Sequence, residues 1–196
     1  MIAGHFGFAA AVKSRERATP LWALMLATVW LDIVFVPLLF MKVETLKPVP
    51  GVHQPYGGNF IYADYTHSLV GAIILSLILG SLGWLAWGRR SAIVLVLVSF
   101  SHWLLDLIVH RADLPILPGN AGNLPRLGFG LWAEPGIAAA LELLLVVGGA
   151  ALYWQAAYKV SRDAGRRQVL AHVSGALVLV FGLLVLWMDV TAKTGG

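Results

Sequence analysis

The sequence predicts an all-α polytopic membrane bundle, with about five transmembrane helices plus a short N-terminal half-helix in one integral-membrane domain, residues 1–196. Three observations carry this reading. The 196 residues are 59% hydrophobic and only 12% charged, and the mean hydropathy is +0.79, values outside the range of soluble domains. Apolar runs of about 18 residues or more recur along the chain, long enough to cross a hydrocarbon core. The links between them are short and alternate in basic charge, as membrane topology requires.

The net charge of +4 and the absence of cysteine narrow the function classes. The basic residues sit in short links, where they set orientation, so nothing in the charge balance asks for nucleic acid. Without cysteine there is no disulfide, no thiolate metal site and no Cys nucleophile.

Taken in order, Ile2 to Val12 is apolar but too short to span, so it lies at the interface or enters the membrane part-way. The basic cluster KSRER follows. Span one runs from about Leu21 to Met41, contains Asp32, and is expected to kink at Pro37. A polar connection, 42–64, is marked by Pro48, Pro50, Pro55 and Gly57-Gly58 as a region of turns. Span two runs from about Tyr65 to Trp87 and opens DYTHSLVG. The link Arg89-Arg90 leads into span three, an apolar run from Ile93. A Pro/Gly/Asn-rich loop precedes span four, about Leu131 to Tyr153, and KVSRDAGRR precedes span five, about Val169 to Trp187. The loops 13–17, 89–90 and 157–168 hold three, two and four Lys or Arg, against two in each of 42–64 and 111–130. The first set is therefore expected on the cytoplasmic side, with the C-terminus outside.

The densest chemistry lies in SFSHWLLDLIVHRADLPILP, 99–118. His102, Asp106 and His110 fall at i, i+4 and i+8, so a helix projects all three from one stripe. Imidazoles and a carboxylate one turn apart suit a shared metal ion, and an ionisable residue at membrane depth marks a functional site by default. Counting helical rise from Arg90 places His102 roughly 18 Å and Asp106 roughly 24 Å up the span, with His110 near the outer boundary. Asp32 and His67 fall in the same outer half, and His5 comes within reach of His102 from slightly below. His5, Asp32, His67, His102, Asp106 and His110 are therefore the candidate ligands. Some have a second reading: Asp32 as a hydrogen bond to a neighbouring helix, His67 as part of a helix start where Thr66 or Ser68 caps free amides, and His5 as an interfacial histidine. Glu142 reads as a support for the site or as a bond inside the bundle. His53 and His172 read as loop or boundary residues, and the eight Trp as an aromatic belt.

GHFGFA, DYTHSLVG and SHWLLDLIVH, in this order and spacing over residues 1 to about 118, resemble the YdjM-like inner-membrane group of membrane-bound metal-dependent hydrolases. The chain departs from the family pattern in having a single LDIV where an acidic cluster is usual, and Ala-Asp-Tyr before its THS. The resemblance implies a multi-pass protein of the bacterial inner (cytoplasmic) membrane, with His5, His67, His102 and Asp106 as metal ligands and Asp32 as the first acidic site.

The expected function is a membrane-embedded hydrolase that holds a divalent ion (zinc, manganese or iron) on these His and Asp groups. Asp64 or Asp113 would act as base on a small-molecule or lipid-linked ester or phosphoester, with membrane lipid as partner. Two other classes fit the same residues. One is a transporter or channel-like protein that binds protons or cations, and the other is a haem protein, against which the adjacent carboxylates argue. The orientation is testable: a reporter fused after Gly196 should be active in the periplasm, and a cytoplasmic signal would invert the map.

Overall fold

The computed structural model describes residues 1–52, 56–165 and 168–191; His53, Arg166, Arg167 and the last five residues lie outside them. The elements are α1 (Ile2–Lys13), α2 (Leu21–Thr28), α3 (Trp30–Phe40), β1 (Thr45–Pro48), β2 (Asn59–Tyr62), α4 (Leu69–Val109), α5 (Pro135–Asp163) and α6 (Val169–Thr191). The protein is mostly helical. Among the described residues, α4, α5 and α6 are long and apolar enough to cross a membrane, and α2 with α3 passes the same test as a pair bent by 48°.

α4 is one helix in name and a hairpin in shape. At Gly88 the backbone turns to φ 81°, ψ 179°, a left-handed φ that glycine adopts without strain. Its two arms then run antiparallel: the Ser76 hydroxyl donates to Ser99 Oγ at 2.9 Å, and Gly80 packs against Val96. The reversal precedes the Arg89-Arg90 pair that the sequence marks as the link. Ser68 starts the first arm by accepting the Gly71 N–H at 3.0 Å, which satisfies one of the amides a helix start leaves free.

The bend in the α2–α3 pair falls at Val29 (φ −118°, ψ 16°), whereas the sequence places it at Pro37, which sits inside α3. The β-branched Thr28-Val29 pair weakens the helix there, and the Thr28 carbonyl is engaged by a side chain from another helix. The 42–64 connection also differs from the expected run of turns. Its ends pair as an antiparallel hairpin, Thr45 with Tyr62 and Pro48 with Asn59, with Pro48 at the strand end where its missing N–H costs no ladder bond.

α1 is buried within the bundle, not laid on its surface: Ala3, His5, Ala9 and Ala10 are all inaccessible. The crossing with α5 explains how. A Cβ on Gly7 would strike the backbone of Leu145 and Val146, and one on Gly149 would strike the backbone of Gly7, so the helices touch main chain to main chain, as small residues allow in a membrane.

The basic links gather at one end. Arg90 Nε donates to Glu16 Oε2 at 2.9 Å, and Lys13, Arg15, Arg17 and Lys159 border one cleft. Burial pushes the Glu16 carboxyl up, but Arg90 and the Ala18 and Thr19 amides outweigh it and hold Glu16 below its ordinary range. At the opposite end the hairpin and the 110–134 loop form a cap, fastened by Arg126 Nη1 and Nη2 on Asp64 at 2.6 and 2.9 Å.

Gly148 and Gly149 separate packing from propensity. A Cβ on Gly148 meets nothing within 4 Å. Gly148→Ala should therefore be neutral or slightly stabilising, and Gly149→Ala should cost about 1–3 kcal/mol by overpacking, read as thermal stability of the two variants in one detergent.

Candidate metal centre

Four parts of the chain send ionisable side chains to one point. α1 supplies His5, α3 supplies Asp32, and the turn before α4 supplies His67. The second arm of α4 supplies His102 and Asp106, and its C-cap supplies His110. The hub is Asp106. Its Oδ1 stands 3.1 Å from His5 Nε2, and its Oδ2 stands 3.1 Å from His102 Nε2, 3.5 Å from His110 Nε2 and 3.7 Å from His67 Nε2. Asp32 Oδ1 lies 3.4 Å from His67 Nε2 and 3.6 Å from His102 Nε2. The His5 ring stacks on His102 with centroids 3.9 Å apart, at the level of the other groups and not below them.

Hydrogen bonds on the far side of three rings fix which nitrogen faces the cluster. His102 Nδ1 lies 2.8 Å from the Thr28 carbonyl, which can only accept, so Nδ1 carries a proton and, in the neutral ring, Nε2 presents its lone pair. The break at Val29 leaves the Thr28 carbonyl among the unpaired ones at the end of α2. His110 Nδ1 donates to Asp113 Oδ1 at 2.9 Å, while Asp113 Oδ2 accepts the Ile61 N–H at 2.8 Å. Thr66 Oγ1 donates its single proton to Glu44, 2.9 Å from Oε2, so it accepts from His67 Nδ1 at 2.9 Å. Glu44, itself buried, also accepts the Tyr65 and Thr66 amides at 2.9 and 2.8 Å.

This arrangement suits a cation. His67 and His102 turn their Nε2 atoms toward each other at 3.2 Å; with both protons held on Nδ1, two lone pairs face across that gap. Ligands on one ion at about 2.0–2.2 Å stand about 3.3–3.6 Å apart in a tetrahedron, and the spacings in the cluster fall around that range. His5, His102 and Asp106 form one triad able to hold an ion, and Asp32, His67 and His102 form another. A buried carboxylate, Asp106, among four buried imidazoles is costly unless positive charge offsets it. The same crowding leaves no gap between His67 and His102 for a haem plane.

The structure thus brings His5, Asp32, His67, His102, Asp106 and His110 together. It sets Asp64 and Asp113 elsewhere: Asp64 is clamped by Arg126 in the cap, and Asp113 has both oxygens engaged behind His110. Glu142 accepts the Gly4 amide at 3.0 Å and the Tyr56 hydroxyl, so it anchors α1 to α5 and the cap. His172 accepts from Trp154 Nε1 at 3.0 Å on the outside of α5 and α6. Sequence reasoning missed Glu44, and it took Thr66 for a possible cap where its hydroxyl serves His67. A Thr beside a candidate ligand His was the available signal. Two tryptophans are not belt residues. Trp103 Nε1 donates to the His67 carbonyl at 2.8 Å, and Trp132 packs on the His110 ring at 4.5 Å.

A cavity of about 250 Å³ reaches the cluster, lined by Asp32, Phe35, Val36, Ile61 and Trp132 among others. The side chains of His5, His67, His102, Asp106 and His110 are at most 5% exposed, whereas that of Asp32 is 32% exposed. Comparison of the chain with protein-family models, with curated proteins and with solved structures finds no match in any of the three.

Purified protein should retain a divalent ion, and His102→Ala should lose it while the bundle stays folded, because packing and lipid hold the helices. Thr66→Val should weaken retention by about 10–100-fold through release of the His67 ring. Metal analysis of both variants checks this; unchanged content would contradict it.

Proposed function

We propose that the protein is a membrane-embedded, metal-dependent hydrolase of esters or phosphoesters, of the YdjM-like kind, in the bacterial inner membrane. The observation that carries the reading is the set of three imidazoles held by Nδ1, with Nε2 directed at a buried carboxylate, the arrangement that metal-binding histidines adopt. Counting the two arms of α4 separately and the bent α2–α3 pair once, the chain would cross the bilayer five times. The basic end would face the cytoplasm, and the cluster would lie in the outer half.

When bound, a zinc, manganese or iron ion would polarise the substrate oxygen and acidify water for attack. The chain supplies the rest. His102 would hold the ion with His5 and Asp106, or with Asp32 and His67, while Glu44 through Thr66, the Thr28 carbonyl, and Asp113 keep the rings of His67, His102 and His110 in register. Asp113 is thus a positioning residue. Asp32, the half-buried carboxylate of the cluster, is placed to receive a proton at the cavity.

The transport reading has less support. Between the cluster and the basic end the packing is mainly apolar, with Ala9, Ala23, Leu24, Ala27, Leu79, Leu95 and Val98 in one cluster, which disfavours passage of an ion.

Protein loaded with zinc or manganese should hydrolyse p-nitrophenyl phosphate or p-nitrophenyl acetate, and a chelator should abolish the activity reversibly. Asp106→Asn should lower kcat by about a hundredfold or more, the scale of losing a charged stabilising group. Absence of hydrolysis, with cation flux into liposomes that Asp106→Asn abolishes, would favour the transport reading instead.

A further inference from the structure

The cavity at the cluster is bordered by the start of α1, by α3 and by Ile61 and Trp132 of the cap. Among the described residues of the cap, Trp132, Tyr56, Ala63, Leu114, Glu44 and Asp113 are all buried. The cavity's most exposed lining residues are at the start of α1 and on α3. Ile2 is 40% exposed and Val36 45% exposed; both line the cavity, together with Phe35 and Ile61. Their neighbours on the outside of α3, Ile33 and Phe40, are exposed as well. In a bilayer, an edge framed by exposed isoleucine and valine would face hydrocarbon.

The break at Val29 accounts for the opening. It tilts α3 by 48° from α2, and α3 packs mainly on α4, leaving the side toward α1 uncovered. Asp32 sits one turn before Val36 on α3, so the polar end of an entering molecule would meet a carboxylate and imidazoles while its apolar end stays among Ile2, Phe35 and Val36.

We propose that the substrate is a membrane lipid bearing an ester or phosphoester at the junction of headgroup and tails, and that it enters sideways between α1 and α3. This rests on the hydrolytic reading for its chemistry, and on the exposed apolar lips for its route. Water-soluble esters of the same chemistry would be cleaved, but more slowly than the lipid, because the cap residues beside the cavity are buried.

The test uses metal-loaded protein in phosphatidylcholine nanodiscs doped with a phosphatidic acid that carries a diazirine in its acyl chain. Photolabelling, mapped by mass spectrometry, should be enriched several-fold at Ile2, Phe35, Val36 and Ile61 over Leu144 and Leu177, which are exposed on the outer faces of α5 and α6. Val36→Trp should remove that enrichment and Val36→Leu should keep it, both with metal content unchanged. Should Val36→Trp lose its metal, Ile2→Trp blocks the opposite lip and serves the same purpose. Even labelling of all outer faces, or enrichment that neither tryptophan reduces, would overturn the lateral route. Hydrolysis of the same lipid and of p-nitrophenyl phosphate is read in parallel. Cavity labelling with neither compound cleaved would fail the hydrolytic reading and leave the route standing; cleavage with even labelling would do the reverse.

Discussion

Asp106 is the group on which the rest of the site depends. A carboxylate 3% exposed in the interior of an apolar bundle is tolerable only among partners, since an unpaired charge there costs several kcal/mol. Its partners are four imidazoles from three separate regions of the chain. They can surround it only if α1 is drawn deep into the bundle, α2 ends where its last carbonyl meets His102, and α4 doubles back to set His67 opposite His102. Each of these conditions is met by a local feature of low side-chain bulk or weak helix propensity. Gly7 and Gly149 let α1 approach α5, Thr28-Val29 ends α2, and Gly88 reverses α4.

The capped end works as a second set of braces. Glu44 and Asp113 are buried carboxylates outside the cluster, each bonded to backbone amides on one side and to the His67 or His110 branch on the other. Arg126 ties the loop after α4 to Asp64, while its Nη1 also donates to the Asp113 carbonyl at 2.8 Å. The hairpin and loop are therefore linked to the orientation of two imidazoles. A change in the cap far from the cluster would reach it through these carboxylates.

Much of this was legible in the sequence because membrane physics makes few demands and states them plainly. Long apolar runs gave the helices, and His102 and Asp106 one turn apart in such a run drew attention to the point where the cluster forms. Helical rise brought Asp32 and His67 to similar depth, although periodicity alone does not say which way a face points. The hairpin at Thr45–Pro48 and Asn59–Tyr62 was hidden because its strands are four residues long and flanked by turn residues. The bend was assigned to Pro37 because proline is the loudest local signal, whereas the carbonyl at Thr28 was claimed by a histidine 74 positions away, a contact no local pattern announces. Glu44 was silent for the same reason: its role exists only once the cap folds over Thr66.

The central claim is that the cluster is a metal centre built on Asp106 and the Nε2 atoms. Anomalous diffraction, or X-ray absorption on protein loaded with zinc or manganese, tests it most directly. The account predicts an ion at about 2.0–2.2 Å from His102 Nε2 and an Asp106 oxygen, with at least one further imidazole in the coordination sphere. An ion bound elsewhere, or a sphere made only of water and carboxylate oxygens, would contradict it.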